Sequence, residues 1–266
     1  MTAFKWVGSE KNYVDEPFIQ RIQHVTVGLF GGNSASGSYK NEDGCLVWIN
    51  DDEDWEFVMI LDAHYSAQSA ELVLDAFEQK QSIIEEYLAQ PIRNGFNREL
   101  EQLMLGIFQE ESFLHACRNI QGETACLITV RKDQYVWWLS IGDCLLYCFH
   151  PELAALGQYQ LNQRQFYEWV GRVNTFEQAV PCYSTGTREL RKGRNHLFLT
   201  TDGLVECPGY PFSEPEKIID VFAEHSGDSA VFFLLKEIQK NHVRDSTTIV
   251  SWDVNIEKEA SMPSDL

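Results

Sequence analysis

Five β-type runs in this chain stop or start at an aspartate, and no other feature limits its possible folds as much. "NEDG" precedes one run, "VMILDAH" ends another, "LSIGDC" joins two more, "LFLTTDG" ends a fourth and "VRDSTTIV" begins the last, so Asp43, Asp62, Asp143, Asp202 and Asp245 all sit at strand ends. One such residue is satisfied as a turn or cap, its carboxylate bonding to nearby backbone N–H groups. Five in a chain, each interrupting strong β sequence with aspartate specifically, point to strand ends that converge. Converging carboxylates in a partly buried cleft repel one another strongly. Hard divalent cations relieve that repulsion, and an all-oxygen site suits Mg2+ or Mn2+ rather than Zn2+. The seven histidines show no HExxH or other zinc spacing. Small residues such as Ala63, Gly203 and Ser246 follow the aspartates, leaving room for a ligand near the backbone. The residues alone therefore outline a candidate carboxylate-bound two-metal site.

The pattern between the acids supplies the frame. "IQHVTVGLFGG" (22–32) reads as a strand running into a turn, and "CLVWIN" and "EFVMILD" as a hairpin around the acidic turn "DDEDW". Helical spacing then takes over from Ser66 to about Leu88, with Ala70, Val73, Leu74, Phe77, Ile84, Tyr87 and Leu88 on one side. A second long amphipathic helix is expected over 96–119, followed by three strands in "TACLITVR", "QYVWWLSIG" and "CLLYCFH". Residues 151–190, rich in Gln, Asn and Gly, read as a surface excursion. "HLFLTTDG", a helix near 229–240 and the strand "STTIVSWDV" close the chain. The expected fold is α+β, layered antiparallel sheets flanked by helices, in one domain over 1–266 with its core at about 22–254 and a tail from 255.

Forty acidic against 21 basic residues leave a net charge of −19, which disfavours nucleic acid and anionic membrane surfaces as partners and suits divalent cations. No apolar run reaches the roughly 20 residues that span a bilayer, and the N-terminus lacks the apolar core of a signal peptide. An odd number of irregularly spaced cysteines, seven, fits reduced thiols. A soluble cytoplasmic protein is expected.

Taken in order, "KNEDG", "ILDAH", "GETA", "LSIGDCLLYCF", "FLTTDGL" and "RDSTTIV" resemble the motif series of the metal-dependent Ser/Thr protein phosphatases of the 2C type. In that family the series is an N-E-D turn, D-G-H, G-S/T-T-A, N-x-G-D-S, S-D-G-L and D-N-x-T. The match runs from about residue 24 to 254. The resemblance implies a β-sandwich of two antiparallel sheets flanked by helices, with two ions, Mg2+ or Mn2+, at one end. It implies that Asp62 bridges the ions, that the Ala63 carbonyl binds one of them, and that Asp202 and Asp245 hold the second. Asp43 with Glu42 then holds metal-bound waters, Asp143 belongs to a weaker third ion, and His64 is the general acid for the leaving alkoxide. Phosphorylated Ser or Thr in proteins is the implied substrate. The chemistry suits these groups, since monoester hydrolysis needs charge neutralised on the phosphoryl oxygens and an in-line hydroxide, which two ions roughly 3.5–4 Å apart provide.

Departures from the pattern keep a second reading open. D-G-H is D-A-H here, which works unless the backbone at Ala63 needs positive φ. N-x-G-D-S becomes Ser140-Ile141-Gly142-Asp143-Cys144. Four residues before Glu42, where the family commonly places a phosphate-gripping arginine, stands Ser38, with Lys40 nearby as a point charge for phosphate. A catalytically weak regulatory or binding protein on the same fold is the alternative. "CYSTGTR" (182–188) satisfies the Cys-x5-Arg spacing of cysteine-dependent phosphatases, but no apolar strand leads into it and "RELRKG" after it is a poor helix. "DDEDWE" reads as a solvated turn, Cys144 and Cys148 as small core residues, and Trp137 and Trp138 as pointing to opposite faces.

Overall fold

The computed structural model describes residues 1–261, so the end of the expected tail lies outside the described residues. Twelve strands form two antiparallel sheets: β1 (Thr2–Val7), β2 (Phe18–Ile22), β3 (Val25–Phe30), β4 (Gly44–Asn50), β5 (Trp55–His64), β6 (Glu123–Lys132), β7 (Tyr135–Ile141), β8 (Leu145–Phe149), β9 (Val170–Gly171), β10 (Ser184–Glu189), β11 (Gly193–Thr200) and β12 (Thr247–Ile256). The larger sheet runs β1-β4-β5-β6-β7-β10, with β9 also on β6, and the smaller runs β2-β3-β12-β11-β8. Helices α1 (Gln68–Gln79), α2 (Gln81–Leu88), α3 (Phe96–Phe108) and α4 (Glu111–Cys117) lie between β5 and β6, α5 (Pro151–Ala154) follows β8, and α6 (Pro215–Glu224) and α7 (Asp228–Lys240) precede β12.

Strand alternation builds the layers. Along β4 and β5, Leu46, Trp48, Phe57, Met59 and Leu61 face helices α1–α4, packing with Phe77, Leu100 and Phe108. The intervening Val47, Ile49, Val58 and Ile60 face the other sheet, where Val27, Leu29, Leu197, Leu199 and Val250 meet them. The outer face of the smaller sheet, with Phe30, Phe198 and Ile249, is covered by Ile218, Leu234 and Leu235 of α6 and α7. Each fully buried Trp, Phe or Leu contributes roughly 1.5–3 kcal/mol, and the four-layer sandwich follows from having apolar side chains on both faces of both sheets.

The expected elements hold with local differences. Residues 22–32 contain a hairpin turn, with Gln23 at φ 51 between β2 and β3. The two long helical stretches are each broken, after Gln79 and after Phe108. The second break turns Phe113 back onto Phe108 (ring centroids 5.9 Å apart), and an ion pair from Lys80 to Glu110 (2.8 Å) links the two break points. The larger sheet begins well upstream of residue 22, since Thr2–Val7 pairs along β4, and the closing strand reaches Ile256. Trp137 and Trp138 do lie on opposite faces, and Cys144 and Cys148 are buried thiols between the sheets. Cys182 leads directly into β10, which pairs with β7, so the Cys-x5-Arg stretch is extended chain rather than a phosphate loop opening a helix. No helix among the described residues is long and apolar enough to cross a membrane.

Candidate metal centre

Register puts Asp62 at the cleft. On β5 the residues facing the other sheet are Glu56, Val58, Ile60 and Asp62, so the aspartate ends an inward-facing row at one rim of the sandwich. The other acids reach the same rim from separate connections. Asp43 precedes β4, Asp143 lies in the β7–β8 turn, Asp202 follows β11 and Asp245 precedes β12. The last two connections approach so closely that a Cβ on Gly203 would stand 2.2 Å from the Ser246 carbonyl oxygen, which is why a glycine follows Asp202.

One carboxylate oxygen from each of Asp62, Asp143 and Asp202 falls within 4.8 Å of the other two. Like charges at such separations cost roughly 3–4 kcal/mol per pair at an effective dielectric of about 20. Burial, reinforced by Asp202, Asp43, Asp245 and Asp143, pushes the Asp62 carboxyl well above its ordinary value. Burial does the same to Asp43, with Asp245 and Asp202 adding to it. Asp202 is pushed up to about 7, by burial and then by Asp245 and Asp143. Asp245, the solvent-facing member, is raised by protein crowding on its inner side, and Asp143 is raised by burial against the opposing pull of Arg164 and His64.

The hydrogen bonds of the cluster leave a definite remainder. Asp43 Oδ2 accepts from the hydroxyls of Thr248 (2.7 Å) and Thr201 (3.3 Å), which orients the carboxylate. Asp43 Oδ1, Asp62 Oδ2, Asp143 Oδ1 and Asp202 Oδ1 are buried and have no protein partner. Buried polar atoms are satisfied in the great majority of cases, and here four orphaned oxygens come from four raised-pKa carboxyls at one rim. A set of unpartnered carboxylate oxygens like this suits a hard divalent cation, and the residues fit Mg2+ or Mn2+. Ala63 is buried in regular β5 and has no positive φ, so alanine in place of glycine strains nothing there.

His64 stands half-exposed at the mouth, its Nδ1 3.9 Å from Asp62 Oδ1 and its ring edge-on to Trp169 (5.0 Å). Glu42 and Asp43 diverge as neighbours on extended chain do. Asp43 turns into the cluster, while Glu42 accepts a hydrogen bond from Lys40 Nζ (2.6 Å). Lys40 also donates to the Tyr65 carbonyl (2.7 Å). Ser38 is buried and donates its hydroxyl to the Gly31 carbonyl (2.5 Å).

Several participants come from the segment expected to be a surface excursion. Arg164 donates through Nε to the Asp143 carbonyl (3.0 Å) and through Nη2 to Glu206 (2.6 Å). Nη2 also lies 3.6 Å from Asp143 Oδ2 and 3.8 Å from Asp202 Oδ2. Asn162 donates to Ser140 Oγ (3.0 Å) and the Cys144 carbonyl (2.7 Å), and accepts from the Leu146 N–H (2.8 Å), clamping the turn that carries Asp143. The residues supporting the acids (Arg164, Asn162, Trp169, Thr201 and Thr248) carry no local signal. The threonines belong to β sequence, and the other three act only through tertiary contact.

No protein-family model matches the chain, and no curated protein does. Solved structures do. A bacterial serine phosphatase shares 14% identity over 91% of this chain and 98% of its own, with a TM-score of 0.61. The serine/threonine phosphatase Stp1 from Staphylococcus aureus shares 14% over 90% and 94%, at 0.60. RsbX in complex with magnesium shares 14% over 90% and 100%, at 0.55. The chain thus has, over nine-tenths of its length, the layered α+β fold of serine/threonine phosphatases, the fold that the order of its motifs implied.

Proposed function

We propose that this chain is a Mg2+- or Mn2+-dependent phosphatase of the 2C type that hydrolyses phosphoserine or phosphothreonine in proteins. The observation that carries the reading is the set of four orphaned, buried carboxylate oxygens on Asp43, Asp62, Asp143 and Asp202 at one rim of the sandwich. In this reading Asp62, the Ala63 carbonyl, Asp202 and Asp245 would hold the ions, Asp43 with Glu42 would hold their waters, and Asp143 would serve a further, weaker position. Bound there, the ions would supply charge neutralisation on the phosphoryl oxygens and a more acidic water. Asp43, fixed by Thr201 and Thr248, holds its free oxygen in one place, which preorganises the site. His64, half-exposed beside Asp62, is placed to give a proton to the departing Ser or Thr oxygen, while Trp169 limits the orientations of its ring.

The test is hydrolysis of p-nitrophenyl phosphate and phosphopeptides with Mn2+ or Mg2+, and with EDTA. Metal-dependent turnover abolished by EDTA is expected, and turnover unaffected by EDTA would sink the proposal. The second reading, a catalytically weak regulatory protein, rests on Ser38, whose hydroxyl is spent on Gly31. Bound metal without turnover favours that reading.

A further inference from the structure

We infer that Arg244 is the phosphate-gripping residue of this chain, reaching the cleft from the segment before β12 rather than from the loop before Glu42; the inference rests on the phosphatase reading above. A cleft of about 460 Å³ beside the acids is lined by Ser38, Lys40, Glu42, Tyr65, Arg244 and Asp245. A phosphate monoester dianion entering beside so many carboxylates needs a fixed positive donor, and a guanidinium fork matches two phosphoryl oxygens at once. The other nearby donors are committed. Ser38 gives its hydroxyl to Gly31, Lys40 is neutralised by Glu42 and bonded to the Tyr65 carbonyl, and Arg164 is held by Asp143 and Glu206.

Arg244 differs from all three. Its residue is exposed, and its guanidinium has no hydrogen bond or ion pair among the described residues. It lies over the loop that carries Ser38, with Nε 4.0 Å from where a Cβ on Gly37 would stand. Its backbone is nevertheless fixed. Gly32, at φ 76, leaves room for the Arg244 carbonyl, which would be 2.1 Å from a Cβ there. The Asn33 N–H donates to the Val243 carbonyl (2.8 Å), and Ser36 Oγ to the His242 carbonyl (2.7 Å). A free guanidinium on a pinned backbone, next to Asp245 and facing the cleft, has the properties that a phosphate clamp needs.

The experiment compares the full chain with Arg244→Ala and Arg244→Lys, each loaded with Mn2+. Arg244→Ala is expected to raise KM for a phosphopeptide about ten- to a hundredfold and to weaken competitive inhibition by inorganic phosphate in parallel, the range that follows from losing a charge-assisted hydrogen-bond pair. Arg244→Lys, which keeps the charge but loses the fork, falls between the two. Mn2+ affinity by calorimetry and the melting temperature stay at wild-type values. Unchanged KM and phosphate inhibition in Arg244→Ala would overturn the inference, as would a fall in kcat alone, which would make Arg244 a support for Asp245. If the unmodified chain hydrolyses no phosphoester, the phosphatase reading fails on that result. Calorimetric binding of inorganic phosphate to the Mn2+-loaded protein then still decides on Arg244, with equal affinity in Arg244→Ala counting against it.

Discussion

Strand β5 carries two buried carboxylates on one face, Glu56 near its start and Asp62 near its end, and the fold treats them in opposite ways. Glu56 is 1% exposed and fully partnered. It faces Arg131 directly across the β5–β6 ladder, accepts from Arg131 Nε (2.6 Å) and Nη2, and is bonded by His24 Nε2 (3.0 Å) and Trp252 Nε1 (3.1 Å). Burial alone would raise its pKa, but the bonds from His24 and Arg131 outweigh it and hold the carboxyl below its ordinary value. Asp62 is 2% exposed, its neighbours are other carboxylates, one of its oxygens has no partner, and its pKa is pushed well above the ordinary value. The protein therefore pairs the acid at one end of the strand fully with groups from its own sequence and leaves the acids at the other only partly compensated. A buried acid whose compensation is built in belongs to the scaffold. One whose compensation is missing is a place for something that binds.

The sharpest break in this comparison is to neutralise each acid in turn. Asp62→Asn should abolish divalent-cation binding and lower kcat by on the order of a thousandfold or more, the scale of contribution expected of a metal-activated site. Glu56→Gln should leave Mn2+ affinity and specific activity of the folded protein near wild type. Retained turnover in Asp62→Asn would remove the assignment of this rim as the reactive end. For stability the order reverses. Glu56→Gln leaves the buried Arg131 with Asp54 as its remaining carboxylate partner, and should lower the free energy of unfolding by about 1–3 kcal/mol. Asp62→Asn in chelator should raise it by about 1 kcal/mol, because a repulsive charge has gone. Urea melts of both variants check the pair of signs.

How much of this was legible follows from how local each signal is. Strands declared themselves as short apolar runs bounded by polar turns in "CLVWIN" and "EFVMILD", and the five aspartates stood out because each interrupts such a run. The 151–190 stretch read as surface because Asn162, Arg164 and Trp169 act only after the chain has folded back on the β7–β8 turn and on His64. Glu56 was mistaken for part of a solvated acidic turn. Its partner Arg131 lies 75 residues away, and only the β5–β6 register reveals the pair. Arg131, a charged residue closing the apolar run "TACLITVR", was the available hint. β1 was missed because "TAFKWV" is a short, half-exposed edge strand that alternates weakly.

Protonation offers a graded version of the comparison. Burial and Asp245 push Asp202 up to about 7 in the folded chain against an ordinary 3.8, so the metal-free native state binds protons more tightly than the unfolded chain between those values. Stability in chelator should therefore fall as pH rises from about 4 to about 7. Saturating Mg2+ should flatten that slope and raise the melting temperature most at the upper end. Glu56 has the opposite sign: its contribution is present above the unfolded value and is lost as pH falls toward its depressed folded value. Calorimetric melts at several pH values, with EDTA and with Mg2+, separate the two ends. A metal-free protein equally stable at pH 5 and 7.5 would show that the acid rim carries no such strain.

The smallest expected effect belongs to the guanidinium that reaches the acid rim. Arg164 approaches the Oδ2 atoms of Asp143 and Asp202, while their Oδ1 atoms remain without partners. A guanidinium thus compensates the outer side of these carboxylates and leaves the inner side to a cation. On the proposed function it would also compete with any further ion at Asp143. Arg164→Ala should lower metal-free stability by about 1 kcal/mol or less, since Glu206 keeps part of this ion pair in contact with solvent. It should change kcat only a few-fold, because the oxygens facing Asp62 are untouched. Manganese titration should show the contrast with the Glu56 end, where removing Arg131 leaves Glu56 to His24 and Trp252 and creates no site. At the Asp143 end, removing Arg164 should strengthen a further, weak Mn2+ binding event. An unchanged binding isotherm in Arg164→Ala would mean that the guanidinium is as structural as Arg131, and that the two ends of the sandwich differ only in how many of their acids have been paired.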